Sequence, residues 1–371
     1  MARLGDICIQ ITDGSHNPPM GVEQSNYLML SSKNIDDDYI TLNDPRYLSQ
    51  EDFEAENRRT NIKPNDLLIT IVGTIGRVAI VPNSLTEFCV QRSVAVLKPK
   101  PEIVYNRFLM HYLQSMRPYL EQESRGVAQK GIYLKQLSNL SIILPPLDEQ
   151  RKIAAVLDKV SDLIAKRRQQ LDKLDEIVKS RFIEMFGVYP ANPMGWEIGT
   201  IRDIVTEVRY GSSRPAVDGG KYPYLRMNNI TYGGELDLSD TKRIDIPDNE
   251  LDKCTVRRGD VLFNRTNSKE LVGKTCVYDR DEMMVLAGFV IRIRVKDCIL
   301  PEFLSAFLNT DFSKQMLLGM CKTAIGQANI NAQELQNIGL YLPPVELQRR
   351  FIQFKKETDK SKSFDDLEVA A

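Results

Sequence analysis

Histidine, tryptophan and paired cysteines are scarce in this sequence, and each scarcity removes a class of chemistry. Two histidines occur, His16 and His111, with a single tryptophan. No Gly-x-x-x-x-Gly-Lys loop, His-Glu-x-x-His string or Gly-x-Ser-x-Gly elbow is present, which argues against a phosphate-loop enzyme, a zinc peptidase and an esterase. The six cysteines (Cys8, Cys89, Cys254, Cys276, Cys298 and Cys321) show no C-x-x-C spacing. They read as reduced, small hydrophobic residues of a cytoplasmic protein, and no metal site is expected. No apolar run reaches the roughly 18 residues of a membrane span, and "MARLGDICIQ" lacks an apolar segment of signal-peptide length. A basic excess is also missing. Net charge is −1, so any binding to nucleic acid must rest on local basic patches.

What is present is an ordinary globular composition, 42% hydrophobic and 27% charged over 371 residues, long enough for two domains with real cores. The chain says one thing twice. "ILPPLDEQRKI" sits near the middle and "YLPPVELQRRF" near the end, with Leu144 and Leu342 198 positions apart. At that offset Gln129 matches Gln327, Ile132 matches Ile330 and Leu137 matches Leu335. Upstream, "YLMLSSKNI" answers "YPYLRMNNI", Asp66 answers Asp260, and Gly14–Ser15 answers Gly211–Ser212. A tandem duplication of one unit follows, with two copies and hence no solenoid.

Within each unit, short β-branched runs bounded by Gly, Pro and Asn, such as "DLLITIVG", "GRVAIVP" and "SVAVLKP", predict strands. Val104, Phe108, Leu109, Tyr112 and Leu113 recur at helical spacing, with "PEFLSAFLN" as the answering copy. Each unit is therefore α+β. After the first Leu-Pro-Pro the text changes. From Asp148 to Phe186 there is no Gly or Pro, and apolar residues step by three and four from Ile153 through Val156, Val160, Leu171, Leu174 and Val178 to Phe182. This predicts a long coiled-coil helix interrupted at Arg167. The second Leu-Pro-Pro opens a shorter helix on Leu347, Phe351 and Phe354, whose pattern fades after Phe354. The expected architecture is two tandem α/β domains joined by long antiparallel coiled-coil helices that hold them at a set distance.

Catalysis finds little support. Asn17-Pro18-Pro19-Met20 approaches the Asn-Pro-Pro-aromatic string with which amino-group DNA methyltransferases hold a flipped base, but Met20 replaces the stacking ring. No Gly-rich strand–turn–helix unit accompanies it, so the string reads as a Pro-stiffened loop. His111 falls beside Tyr112 in a predicted helix, a packing position.

Polar loops remain. Ser15, His16 and Asn17 are answered by Ser212, Ser213 and Arg214. Lys33 and Asn34 are answered by Arg226, Asn228 and Asn229, and Thr74 and Arg77 by Arg265, Asn267, Lys269 and Lys274. Gln129 and Lys130 are answered by Gln327 and Asn329. Arg, Asn and Gln are the side chains that pair bidentately with base edges, while Ser, Thr and Lys suit phosphates. Taken singly, each reads as solvated loop polarity. As a set repeated in both units, they point to DNA binding, with a non-catalytic coiled-coil adaptor as the alternative.

The Leu-Pro-Pro frames, with "VGTIGRVAIV", "YPYLRMNNI", "DVLFNRTNS" and "RFIEMFG" in this order, resemble the specificity (S) subunits of type I restriction–modification systems. The resemblance implies a target-recognition domain at 1–145, a central coiled-coil helix at 146–187, a linker and second target-recognition domain at 188–343, and a short distal helix at 344–371. It further implies that each domain reads one half of a bipartite target in double-stranded DNA. The helices would fix the gap and dock DNA-methyltransferase (M) subunits, with restriction (R) subunits joining through the complex. S-adenosylmethionine and ATP chemistry would belong to those partners, leaving this chain non-catalytic and without a cofactor. The distal region departs from the family pattern, which is usually as long as the central one.

Overall fold

Leu67–Thr70, the "LLIT" of the first copy, is a strand buried along its whole length, and its neighbours explain why no polar alternation marks it. In this computed structural model, which describes residues 1–124, 131–268, 271–324 and 327–368, Leu67 and Ile69 pack with Phe108, Leu109 and Leu113. Leu68, on the opposite face, packs with Leu30, Phe88 and Val96. A sheet covered on both sides has no solvated face to encode.

The contacts divide the chain into two units, Met1–Lys166 and Arg167–Ala371. In unit 1 the strands Cys8–Asp13, Val94–Pro99, Leu67–Thr70 and Val78–Ile80 form a four-stranded antiparallel sheet in that order. A second sheet sets Tyr27–Leu30 between Arg46–Leu48, antiparallel, and Phe88–Val90, parallel. Unit 2 repeats both. Val205–Tyr210, Val290–Val295, Val261–Asn264 and Thr275–Val277 form the four-stranded sheet. Tyr222–Leu225 lies between Lys242–Ile244 and Met284–Leu286, with Thr255–Val256 added at the edge. Each unit is closed by its own ends: Ala2–Arg3 pairs with Ser141–Ile142, and Ile198–Thr200 with Gly339–Tyr341. The duplicated α+β domain inferred from the text is the one observed.

Each closing strand is followed by Pro-Pro and a helix. The central helix, Leu147–Phe186, is continuous, so the gap in the apolar stripe at Arg167 does not break it. Arg167 instead donates to the carbonyl of Lys362 at 2.7 Å. The distal helix runs over Val345–Glu368, well past the expected fading point. Ion pairs sustain it where apolar residues run out: Lys355 pairs with Asp359 at 2.5 Å, and Lys362 with Asp359 at 2.9 Å. In unit 2 the helices run antiparallel. Phe351 packs on Phe182 and Phe186, while Lys362 further along reaches back to Asp175 at 2.5 Å.

Of the six cysteines, Cys8, Cys89, Cys254 and Cys276 are buried and unpaired, as small hydrophobes should be, and Cys298 is exposed. Among the described residues, no helix is long and apolar enough to cross a membrane.

Candidate nucleic-acid interface

Close backbone approach gathers the loops at one end of each four-stranded sheet. In unit 1, Ser15 donates its N–H to Val90 O at 2.9 Å and accepts from Arg92 N at 2.9 Å. Gln91 N donates to Leu30 O at 2.8 Å, Ile71 N to Ser93 O at 2.9 Å, and Ile132 N to Ile71 O at 2.9 Å. The turn Gln91–Arg92–Ser93, which carries the chain from one sheet to the other, is thus the hub on which loops 14–17, 31–34 and 71–77 meet. Unit 2 uses Ala287–Gly288–Phe289 in the same way: Ser212 N donates to Leu286 O at 2.7 Å, Gly288 N to Ser212 O at 2.7 Å and Arg265 N to Phe289 O at 3.0 Å. The approach requires glycine. A Cβ on Gly14 would lie 1.8 Å from Val90 O, and one on Gly211 2.2 Å from Leu286 O.

The loop residues then separate into tips and staples. His16, Asn17, Lys33 and Thr74 are exposed in unit 1, as are Ser213, Arg214, Asn228 and Asn329 in unit 2. Ser15, Arg77, Arg226, Arg265 and Asn267 are half-buried. Several tips already hold an intramolecular partner. His16 Nε2 lies 2.8 Å from Asp13, Lys33 pairs with Asp44 at 2.5 Å, and Arg214 pairs with Glu250 at 2.7 Å. Arg77 pairs with Asp36 at 2.9 Å and Arg226 with Asp240 at 2.9 Å. Arg265 stacks over the Tyr210 ring at 4.8 Å, and Asn329 accepts from Thr266 at 3.1 Å. Exposed ion pairs of this kind contribute about 0–1 kcal/mol, so a phosphate or base edge can displace them cheaply.

Four of the expected binding residues are buried. Asn34 is fully buried: its Oδ1 accepts from Ser31 N at 3.0 Å, and its Nδ2 donates to Thr41 O and Asn43 O. Asn229 repeats this in unit 2, accepting from Arg226 N at 2.8 Å and donating to Asp237 O and Asp240 O. Both amides have their hydrogen-bonding capacity spent on the chain. Ser212 is buried with its Oγ accepting from Arg214 N at 3.2 Å. Lys274 is buried with its Nζ on Met227 O at 3.1 Å, and burial lowers its pKa. Gln129, Lys130 and Lys269 lie outside the described residues, and Gln327 is placed by its backbone in the strand Gln327–Asn329.

The hub residues Gln91, Arg92 and Ser93 are not among those expected from the sequence. Gln91 is half-buried and Arg92 exposed at the centre of the unit 1 cluster. Their signal was a polar triplet, "QRS", between two buried strands. In unit 2, Phe289 is 53% exposed at the corresponding hub and Tyr210 is 42% exposed, a pair of rings suited to stacking. Among the described residues there is no cluster of His, Cys, Asp and Glu able to hold a metal ion.

Comparison with known proteins bears on this arrangement. The type I restriction modification DNA specificity domain matches the sequence twice, over residues 24–176 and 193–362. The EcoKI specificity subunit of Escherichia coli (strain K12) is 24% identical over 275 residues, covering 69% of this chain and 59% of that protein. The MjaVIII specificity subunit of Methanocaldococcus jannaschii is 24% identical over 334 residues, covering 82% of this chain and 74% of that protein. The match thus spans about three-fifths of the length of the EcoKI subunit. A solved chain from a type I R-M system, described for its complex assembly and conformational transition, is 18% identical with a TM-score of 0.54. That likeness covers 100% of this chain and 92% of the other, and it is one of fold.

Proposed function

The chain belongs to the type I restriction modification DNA specificity family, and from that premise we propose that it is the DNA-reading subunit of a type I restriction–modification complex. Each unit reads one half of a bipartite target, and the central and distal helices set the spacer and dock methyltransferase subunits. Restriction subunits join through that assembly in the cytoplasm. The chain itself carries no chemistry; methyl transfer and cleavage belong to its partners.

One observation carries the reading: the same scaffold presents different side chains in its two copies. Gln91–Arg92–Ser93 stands in unit 1 where Ala287–Gly288–Phe289 stands in unit 2, and His16 stands where Ser213 does. A duplicated frame with unlike tips suits an asymmetric target whose half-sites differ. Base discrimination falls to Asn17, Gln91 and Arg92 in unit 1, and to Arg265, Asn228 and Asn329 in unit 2, because these side chains offer paired donors or acceptors to base edges. Lys33, Thr74, Ser15, Ser213 and Arg214 serve the backbone phosphates, which position the protein without reading sequence.

The test is methylome sequencing of cells expressing this chain with its methyltransferase partner. A two-part motif with a fixed gap is expected, and exchange of residues 1–143 for those of another family member should alter one half-site alone. Methylation without sequence preference, or a change in both halves, would refute the assignment.

A further inference from the structure

The two units differ sharply in one place that their shared frame makes easy to compare. Gly76, Arg77 and Arg117 of unit 1 correspond to Gly273, Lys274 and Lys314 of unit 2 at a constant offset of 197. The register supports the alignment: Ile69 pairs with Val78 as Phe263 pairs with Thr275. Gly76 and Gly273 both sit at positive φ, 81° and 79°. In each copy one cation donates to the equivalent glycine carbonyl and the other to a carbonyl of the turn around Asn34 or Asn229, at a different residue of that turn in each copy. Arg117 donates to Gly76 O at 3.1 Å and Lys314 to Gly273 O at 2.7 Å. Arg77 donates to Ile35 O at 3.4 Å and Lys274 to Met227 O at 3.1 Å.

Their counter-charges do not repeat. In unit 1 the turn Asp36–Asp37–Asp38 neutralises the site, with Arg77 on Asp36 at 2.9 Å and Arg117 on Asp37. Counting from the equivalent staples Asn34 and Asn229, Asp36 and Asp37 are replaced by Thr231 and Tyr232. Lys314 faces the Tyr232 ring at 5.7 Å instead of a carboxylate. Among the described residues, no carboxylate forms an ion pair with Lys274 or Lys314. The two ammonium groups are close enough to repel: Lys314 is pushed down to about 8, first by burial and then by Lys274. Among the described residues, this pair of partly desolvated like charges is held by neutral carbonyls and one ring face, a standing cost that a bound anion would relieve. The place is apt, because Lys274 ends the segment carrying Arg265 and Asn267, and Met227 belongs to the turn carrying Asn228.

We infer that Lys274 and Lys314 form a phosphate subsite of unit 2, taking a backbone phosphate of the duplex beside its half-site, and that unit 1 has the same subsite closed by its own aspartates. The inference rests on the DNA-binding reading above for the source of the phosphate, though not for the anion chemistry.

The decisive variant restores the unit 1 carboxylates, Thr231→Asp with Tyr232→Asp, in the full chain; Lys314→Met is the simpler companion. A labelled pool of random-sequence 40-base-pair duplexes is titrated at several salt concentrations. The double variant should bind several-fold to tenfold more weakly at low salt, and the slope of log affinity against log salt should shrink by about one to two. The reverse exchange, Asp36→Thr with Asp37→Tyr, should strengthen binding and steepen the slope. In parallel, amine acetylation of Lys314 is followed by mass spectrometry with duplex or with sodium phosphate at matched ionic strength, and duplex should protect it at far lower phosphate concentration. Duplex binding with unchanged affinity and slope in the variants overturns the subsite while leaving the DNA-reading assignment intact. Absence of duplex binding by the wild-type chain, with protection by free phosphate alone, leaves an anion site and overturns the duplex as its ligand. Protection by neither overturns the subsite outright.

Discussion

Gln348 is fully buried and holds the start of the distal helix to unit 2: its Oε1 accepts the N–H of Leu300 at 2.8 Å, and its Nε2 donates to Pro343 O at 2.8 Å and Cys298 O at 3.2 Å. Gln150 does the same in unit 1, accepting from Tyr105 N at 2.8 Å and donating to Pro145 O and Ile103 O. The repeated Leu-Pro-Pro frame is therefore a lock. Proline ends the closing strand, and the glutamine four residues after the second proline ties the helix back onto the loop before Asn106–Ser115 in unit 1 and before Pro301–Leu308 in unit 2.

Replacing Gln348 with Leu should strand one buried N–H and two carbonyls, at a cost of about 2–3 kcal/mol. Gln150→Leu should cost a similar amount in unit 1. Urea denaturation measures both, with exposed Glu149→Gln as a control expected to stay within about 0.5 kcal/mol. A Gln348→Leu chain as stable as wild type would show that the lock is dispensable.

How much of this was legible beforehand divides along a physical line. Three pairs of residues identical in both copies are scaffold: Gly14 and Gly211 permit close approach, Asn34 and Asn229 staple a turn, and Asp66 and Asp260 anchor Lys98 and Arg294. Repetition in the text revealed the fold for this reason, and for the same reason it does not by itself mark an interface. A polar residue that recurs unchanged is as well explained by an obligatory backbone partner as by a ligand. The tips that differ, such as Arg92 against Gly288, left no repeat to notice. The length of the distal helix was hidden too, because Lys355, Asp359 and Lys362 stabilise it by charge and leave no apolar period.

Arg92→Ala should therefore alter the half-site read by unit 1 and leave the other half unchanged, with a loss of about 1–3 kcal/mol in discrimination at one base pair. Asn34→Ala should behave differently. It removes a turn staple, so it should lower the thermal midpoint and weaken that half-site as a whole without changing which bases are preferred. Methylome motifs and melting curves on the two variants separate these outcomes, and exchanged phenotypes would reverse the division into tips and staples.

The aromatic cluster that joins the helices in unit 2 should outweigh their ion pairs. Phe351 is buried against Phe182 at 5.2 Å and Phe186 at 5.8 Å between ring centroids, and truncating a buried Phe costs about 3–5 kcal/mol. Lys362→Ala should cost about 1 kcal/mol or less despite its bonds to Asp175 and Asp359. Proteolysis of the distal helix offers a local readout: Phe351→Ala should expose it to cleavage, and Lys362→Ala should not.

Acid sensitivity in unit 1 should concentrate where the central helix meets the helix Asn106–Ser115. Asp158 accepts from Arg107 Nε at 3.1 Å and lies 2.7 Å from His111 Nε2, while Arg107 also pairs with Asp38 at 2.7 Å. Burial works to raise the Asp158 carboxyl, but the hydrogen bonds from Arg107 and His111 outweigh it and hold the group below its ordinary value. A carboxyl lowered on folding contributes stability that is complete above its unfolded value, near 4. That contribution is lost as pH falls through the folded value. Asp158→Asn should thus be less stable than wild type at pH 7, and the gap in urea midpoints should narrow progressively below about pH 4. A gap that stays constant from pH 7 to pH 3 would mean that the Asp158 charge contributes nothing to this contact and that its geometry alone does.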